Sequence, residues 1–238
     1  MRPAYKRVLL KLSGEALMGS QKFGVDPDAC HRIALAVAEL IQLGVQVGIV
    51  IGGGNIFRGI RGTHQGMART PADHIGMLAT IINGIALQQA FERVGCDSRI
   101  LTAIACDVMA ESYNWKSALH YLDQGIVLIF VGGTGNPYFT TDSAAALRAF
   151  EIQAQILLKA TKVDGIYNKD PIRHSDAIRY DRLTYSEVLS QNLQVMDAAA
   201  IALCRENAIP IRVFNIFSEH ALKKAVCSQS EGTLVEGT

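Results

Sequence analysis

The feature that most constrains this chain is a rhythm: short, β-rich apolar runs alternate with longer segments of helical period, and several runs end in glycine. Arg7 to Leu12 reads as a strand. Asp26-Pro27 then opens a helix, with Asp as N-cap and Pro at the first helical position. Ile33, Val37, Leu40 and Ile41 recur at helical spacing, and Gly44 suits a C-cap. Val45 to Ile51 is the next strand, followed by a long helix from about Asp73 to Val94. A strand near Arg99 to Ala103, a helix near Lys116 to Asp123 and the strongly apolar strand Ile126 to Val131 follow. Beyond them come a helix opening near Asp142, a buried strand Ile156 to Ala160, helices near Ser186 to Ser190 and Val195 to Asn207, a strand Ile211 to Ile216 and a short one at Gly232 to Val235. Strands alternating with helices imply right-handed crossovers and a parallel sheet covered on both faces.

Size and charge narrow the classes. At 238 residues the chain fits one large α/β domain over residues 1–238, given roughly 150 residues per domain. Lys and Arg total 23 against 22 for Asp and Glu, so no global field draws nucleic acid or an anionic membrane. No apolar stretch approaches the roughly 18 residues of a membrane span. Lys11 interrupts the first apolar run, so no signal peptide is expected. The five cysteines, Cys30, Cys96, Cys106, Cys204 and Cys227, never form C-x-x-C and read as buried thiols in a reducing compartment. The expected location is the cytoplasm.

Ligands of open parallel sheets sit outside the carboxyl ends of the strands. Four such ends carry unusual sequence: Lys11-Leu12-Ser13-Gly14-Glu15, Gly52-Gly53-Gly54-Asn55, Gly132 to Thr141, and Lys159-Ala160-Thr161-Lys162. Glycine in these turns lets backbone N–H groups approach an anion with no Cβ in the way. One such turn can be purely steric, but two clusters straight after buried strands point to phosphate or nucleotide binding. A P-loop is absent, because the chain contains no Gly-Lys pair. The dinucleotide fingerprint fails too, since Phe57 and Tyr138 stand where its third glycine belongs.

Phosphoryl transfer without a P-loop still needs cations on the transferred group. Lys11 breaks an apolar strand at its carboxyl end, where it reads either as a solvent-reaching lysine or as a phosphate ligand. Lys159 and Lys162 pose the same question, with solvated charges as the plainer alternative. Asp142, following Thr140-Thr141, is either a helix N-cap or a ligand or holder of metal-bound water. The six histidines show no metal spacing, so no protein-held zinc is expected. Met67, Met77 and Met109 read as core or flexible contacts, and Tyr113 and Trp115 as possible interface aromatics.

Together these motifs resemble those of the bacterial uridylate (UMP) kinases, a branch of the amino acid kinase family. The likeness runs from about Lys6 to Leu234. It rests on Lys11 to Leu17, Gly52 to Gly59, Asp73 to Thr80, Thr134 to Asp142 and Lys159 to Tyr167. The resemblance implies a three-layer αβα sandwich around a mainly parallel sheet and a cytoplasmic homohexamer. It implies transfer of the γ-phosphoryl of ATP to UMP with Mg²⁺, activation by GTP and inhibition by UTP. Carried over by motif, Lys11, Leu12, Ser13, Gly14, Gly54, Arg58, Thr161, Tyr167 and Asp170 contact ATP. Gly53, Asp73, Thr134, Gly135, Asn136, Pro137, Tyr138, Phe139, Thr140 and Thr141 hold UMP. Lys11, Arg58, Asp142, Lys159 and Asp197 form the catalytic set. Gly19, Ser20, Gln21, Lys22, Phe23 and Gly24, with Arg99 and Trp115, form a GTP site.

Two departures stand out. The family usually writes Asp where this chain has Gln155, and in relatives that acid helps position active-site lysines. Gln155 lacks the charge, which weakens such a pairing. Gln88 and Glu92 stand where some GTP-responsive relatives carry basic residues. Alternatives to a UMP kinase are a carboxylate or carbamate kinase of the same fold, a non-catalytic nucleotide sensor, for which Gln155 is the support, and a nucleic-acid-binding regulator, which the neutral charge opposes.

Overall fold

The computed structural model describes residues 2–57, 66–193, 195–227 and 231–237. Its strands are β1 (Arg7–Leu12), β2 (Gln46–Ile51), β3 (Ser98–Thr102), β4 (Glu111–Ser112), β5 (Val127–Val131), β6 (Ile156–Thr161), β7 (Ile166–Tyr167), β8 (Arg179–Tyr180), β9 (Arg182–Leu183), β10 (Ile211–Asn215) and β11 (Thr233–Val235). Its α-helices are α1 (Pro27–Gln42), α2 (Arg69–Arg93), α3 (Trp115–Asp123), α4 (Thr141–Glu151), α5 (Tyr185–Ser190), α6 (Ala198–Glu206) and α7 (Ala221–Cys227). A nine-stranded sheet runs in the order β4-β3-β5-β2-β1-β6-β10-β11-β9. Every pairing in it is parallel except β10 with β11. β7 and β8 form a separate antiparallel pair.

The period-2 alternation of the strands sorts side chains between two cores. Val8, Leu10 and Leu12 of β1 and Ile156, Leu158 and Ala160 of β6 face α1, α2 and α7. Leu9 and Leu157 face the opposite way, into a core with α3, α4, α5 and α6. This is the three-layer sandwich anticipated. Each fully buried Leu, Ile or Val contributes about 1.5–3 kcal/mol, so neither core tolerates a register slip.

Helix starts follow their caps. The Asp26 carboxylate accepts from Asp28 N at 3.0 Å, as expected, and Gly44 turns the chain after α1 at φ +78°. Asn114 caps α3, accepting from Lys116 N at 2.9 Å. The cap of α4 is Thr140, whose Oγ1 accepts from Asp142 N at 3.0 Å. The capping alternative for Asp142 is thereby removed. Asp197 caps α6 through Ala200 N at 2.8 Å, so that helix starts at Ala198 rather than near Val195. α2 begins at Arg69, one turn before Asp73. The two-residue strands β4, β7, β8 and β9 have no period of their own and are defined only by the partners they pair with.

Candidate active site

Parity and register build the centre of the site. Lys11 in β1 pairs in register with Lys159 in β6, and both point to the face shared by Leu9 and Leu157. There the first turn of α4 presents Asp142. Lys11 Nζ lies 2.7 Å from Asp142 Oδ1, and Lys159 Nζ lies 3.0 Å from Oδ2. Lys159 also donates to the Val195 carbonyl. Lys11 is 9% exposed, so it is a buried partner of Asp142, and of its two readings the solvent-reaching strand end is removed.

The electrostatics follow from two ammonium groups sharing one carboxylate. Burial pushes the Asp142 carboxyl upward, but the charges of Lys11 and then Lys159 outweigh it and hold the group below the ordinary carboxylate value. Burial pulls Lys159 below the ordinary lysine value, Asp142 resists, and Lys11 adds to the fall. The charge of Asp197 also supports the Lys159 ammonium, and the two ammonium groups stand at the carboxyl ends of two strands with donors left for an anion.

Asp197 does not touch either lysine. Its Oδ2 accepts from Ser143 Oγ at 2.9 Å and from Thr140 Oγ1. It therefore ties the start of α6 to the start of α4 and fixes the turn that carries Asp142.

Glycine-rich turns surround the cluster. The Gly52–Asn55 turn leaves β2 and passes α2 so closely that a Cβ on Gly53 would lie 2.7 Å from the Gly76 carbonyl. A Cβ on Gly14 would lie 2.2 Å from Asn55 Oδ1. Both positions require glycine: the Gly76 carbonyl fills the space at Gly53, and the buried Asn55 amide and the Gly52 carbonyl, 2.7 Å away, fill it at Gly14.

Beside them opens a cavity of about 480 Å³ between α2 and the segment after β5. Gly53, Gly54, Asp73, Thr134, Asn136, Phe139, Thr140 and Thr141, all anticipated, line it, together with Arg69, Met77 and Thr80. Gly135, Pro137 and Tyr138 belong to the same segment without lining the cavity. Tyr138 adopts φ +73° and its N–H donates to Asp73 Oδ2 at 2.8 Å. Arg69 Nε reaches both Asp73 oxygens, at 2.9 and 2.8 Å, and its guanidinium carbon lies 5.6 Å from the centre of the Tyr138 ring. Asp73 thus latches the segment to α2. Thr80 adds a second latch, with Oγ1 accepting from Gly132 N at 2.7 Å.

The other anticipated positions are spread along the same edge of the sheet. Leu12 ends β1 and is fully buried, and Ser13 leads into the 3₁₀ turn Gly14–Leu17. Thr161 ends β6, with Oγ1 donating to the Val163 carbonyl at 2.6 Å. Tyr167 lies in β7, its hydroxyl donating to Asp164 Oδ1 at 2.5 Å. Asp170 starts the β7–β8 loop and accepts from Ile172 N at 2.9 Å. Lys162 is exposed and paired with Glu15 at 2.9 Å, matching the solvated alternative. Arg58 lies outside the described residues.

Gln155 requires a correction. It precedes β6, at the amino end of the strand, whereas Lys159 sits near the carboxyl end. Its Oε1 accepts from the backbone of Lys6 at 2.5 Å and of Arg7 at 3.3 Å. It touches neither Lys11 nor Lys159, both of which pair with Asp142 instead, and the sensor alternative loses its support.

The residues expected to form a GTP site are divided within one chain. Residues 19–24 follow the 3₁₀ turn, where Gly24 exchanges hydrogen bonds with Asn55. Arg99 lies at the amino end of β3, 3.8 Å from Glu111, in a cavity of about 420 Å³ shared with Gln88, Glu92 and Asp97. Trp115 opens α3 with the Lys116 ammonium 5.6 Å from its ring centre.

Sequence reasoning assigned no individual role to Asn55, Thr80 and Asn83, whose side chains join α2 to the turns after β2 and β5. The signal was present for the last: a polar residue inside the apolar run Ile81-Ile82-Asn83 of a helix needs a partner.

Residues 6–215 match the amino acid kinase family. The chain belongs to the amino acid kinase family. Within this family it is 59% identical to a protein named uridylate kinase from Protochlamydia amoebophila, over 97% of this chain and 93% of that protein. It is 53% identical to a uridylate kinase from Vibrio vulnificus, over 98% of this chain and 97% of that one. Among solved structures it resembles the UMP kinase of Bacillus anthracis with a TM-score of 0.95 and 39% identity, covering 99% and 97% of the two chains. The family's parallel sheet and flanking helices are those described above.

Proposed function

We infer that this chain transfers the γ-phosphoryl group of ATP to UMP, forming UDP and ADP. The observation that carries the inference is the buried Lys11–Asp142–Lys159 cluster, one carboxylate between two ammonium groups, beside the cavity bounded by Gly53 and Asp73. An oxygen of the UMP phosphate attacks the γ-phosphorus while the bond from that phosphorus to the bridging oxygen of ADP breaks. The attacking oxygen is already anionic near neutral pH, so no general base is needed. What the reaction demands is charge stabilisation and alignment.

On this reading Lys11 and Lys159 hold the transferred group and the leaving oxygen, with Arg58 adding charge. Gly53 and Gly54 offer N–H donors. Ser13, Gly14, Thr161, Tyr167 and Asp170 form the ATP side, and Asp73 with residues 134–141 forms the UMP side. Mg²⁺ neutralises phosphate charge when it arrives on ATP. Among the described residues no cluster of three ligating side chains exists, and Asp142 is committed to lysines. An ion arriving with ATP would be held chiefly by phosphates and water, while Asp142 holds Lys11 and Lys159.

We further propose a homohexamer that GTP activates and UTP inhibits. Residues 19–24 pack against Asn55 after the carboxyl end of β2, whereas Arg99 lies at the amino end of β3 in a separate cavity, so on this reading a site using both draws on neighbouring copies. Ile75, Leu78, Ile82 and Ile85, each at least 36% exposed, form an apolar stripe on α2 suited to self-association. Among the described residues no helix is long and apolar enough to cross a membrane, and a cytoplasmic location is part of the proposal.

The test is an ADP-release assay over UMP, CMP, dUMP, aspartate, acetylglutamate and carbamate, with and without GTP and UTP. UMP is expected to be preferred strongly, because a site that hydrogen-bonds its substrate rejects analogues lacking the partner. Comparable kcat/KM for CMP overturns the acceptor assignment, and binding of ATP and UMP without turnover favours a sensor.

A further inference from the structure

Asn83 sits in the middle of α2 and is fully buried, and Asn55 ends the Gly52–Asn55 turn at 2% exposed. Their side-chain amides face each other and exchange two hydrogen bonds, Asn83 Nδ2 to Asn55 Oδ1 at 2.7 Å and Asn55 Nδ2 to Asn83 Oδ1 at 2.9 Å. The second donor of Asn83 reaches the Gly52 carbonyl at 2.7 Å, and that of Asn55 reaches the Gly24 carbonyl at 2.9 Å. All four amide N–H donors are thus used. A buried polar network satisfied in this way fixes one arrangement of its backbone, because any other leaves a desolvated amide unpaired.

We propose that Asn83 is a positioning residue for phosphoryl transfer. It acts through Asn55 and the Gly52 carbonyl to hold the Gly52–Asn55 turn against α2. This rests on the reading of Gly53 and Gly54 as phosphate contacts. The peptides that offer those N–H groups lie between the two points Asn83 grips, Gly52 and Asn55. The helix that carries Asn83 also carries Asp73 and Thr80, the latches of the acceptor segment. One buried amide pair therefore sets the distance between the phosphate-binding turn and the acceptor side. The Asn55 Oδ1 also abuts Gly14, which brings the turn after β1 into the same register.

The experiment compares Asn83→Leu, Asn83→Ser and Leu87→Ala in the full chain by steady-state kinetics, by calorimetric titration with ATP and with UMP, and by thermal melting. Leu87 lies one turn further along α2, equally buried but in the apolar core, and reports the effect of lost packing alone. Asn83→Leu is expected to lower kcat on the order of 10²-fold, the effect of a small misplacement at the reacting groups. The Kd values for the two nucleotides should stay within about threefold. Asn83→Ser keeps a hydroxyl and room for a bridging water, so its kcat should lie between that of Asn83→Leu and the parent, which serves if the leucine variant does not fold. Leu87→Ala should lower the melting temperature with kcat within about twofold. Unchanged kcat in both Asn83 variants overturns the proposal, as does an equal loss of kcat in Leu87→Ala. Lys11→Met, run alongside, separates the readings: if it leaves kcat intact, the phosphate-site assignment itself has failed.

Discussion

The two ends of the β1–β6 pair hold polar clusters of opposite character. At the amino end, Arg7 donates to Gln46 at 2.6 Å, to the Ile152 carbonyl at 2.8 Å and to Asp123 at 2.9 Å, while Gln155 accepts from the backbone. One cation meets one anion, and Asp123 is largely exposed. At the carboxyl end two lysines share the single carboxylate of Asp142, all three side chains being 15% exposed or less. Arg7 is as buried as the lysines, but its charge is matched one to one by a solvated carboxylate, and such a cluster asks for nothing further. A buried one, in which two ammonium groups share one carboxylate by direct contact, keeps donors for an arriving anion, and that difference separates a structural seam from a site on the same strands.

The largest test of this contrast removes one of the two ammonium groups. Lys11→Met or Lys159→Met should lower kcat by about 10²-fold or more, the loss expected when a donor to developing charge disappears. Either variant still leaves Asp142 paired with the other lysine, so folding should survive. A coupled ADP-release assay with a thermal melt checks both halves. Near-normal turnover in the two variants would place the chemistry elsewhere.

Removing the carboxylate does the reverse. Asp142→Asn leaves two buried ammonium groups without their counter-ion, and breaking a buried pair costs about 3–5 kcal/mol of stability. A displacement worth about 2 kcal/mol in the barrier corresponds to a fall of ~30-fold in kcat. The pH dependence is specific as well. Lys159 already titrates below the ordinary lysine value, and Asp142 is what raises it. Its alkaline limb in kcat should therefore move to lower pH in Asp142→Asn. On the acid side, the native Asp142 value is lowered from 3.8. Its stabilisation is thus present above that pH and lost as pH falls through the lowered native value. Unfolding titrations of the variant should lack that component.

A smaller effect is expected at the acceptor latch. Asp73→Ala frees the Tyr138 N–H and Arg69, which should raise the KM for UMP about tenfold, as for a hydrogen bond to a charged group. The KM for ATP should change little. Equal changes in both would mean that Asp73 acts through the whole site.

How much of this was legible in the sequence depends on range. The sandwich, its main strands and the caps at Asp26 and Gly44 follow from period and local chemistry, and the structure has them. So do the four carboxyl-end motifs, because glycine after an apolar run is a local signal. The register that sets Lys11 opposite Lys159 is not local, and neither is the turn of α4 that brings Asp142 between them. β4, β7, β8 and β9 are likewise invisible, being two residues long and defined only by their partners. The Asn55–Asn83 pair spans 28 positions. A lone asparagine in an apolar helix announces that a partner exists without saying which.

Gln155 shows the same limit in its sharpest form, and it yields the smallest expected effect. Its departure from the acid usual in the family reads, along the sequence, as a loss at the lysine cluster, since Lys159 is only four positions away. A β-strand advances about 3.3 Å per residue, so those four positions span roughly 13 Å, the length of the strand and the whole depth of the sheet edge. The side chain accepts from Lys6 and Arg7 N–H, and a carboxylate can accept from the same donors. Gln155→Asp should therefore leave kcat within about twofold and the alkaline limb unmoved, with a stability change under ~1 kcal/mol for an exposed group. A gain in kcat on this substitution, with the alkaline limb moving to higher pH, would show that the amino-end charge reaches the lysines through the sheet and that the two ends are coupled after all.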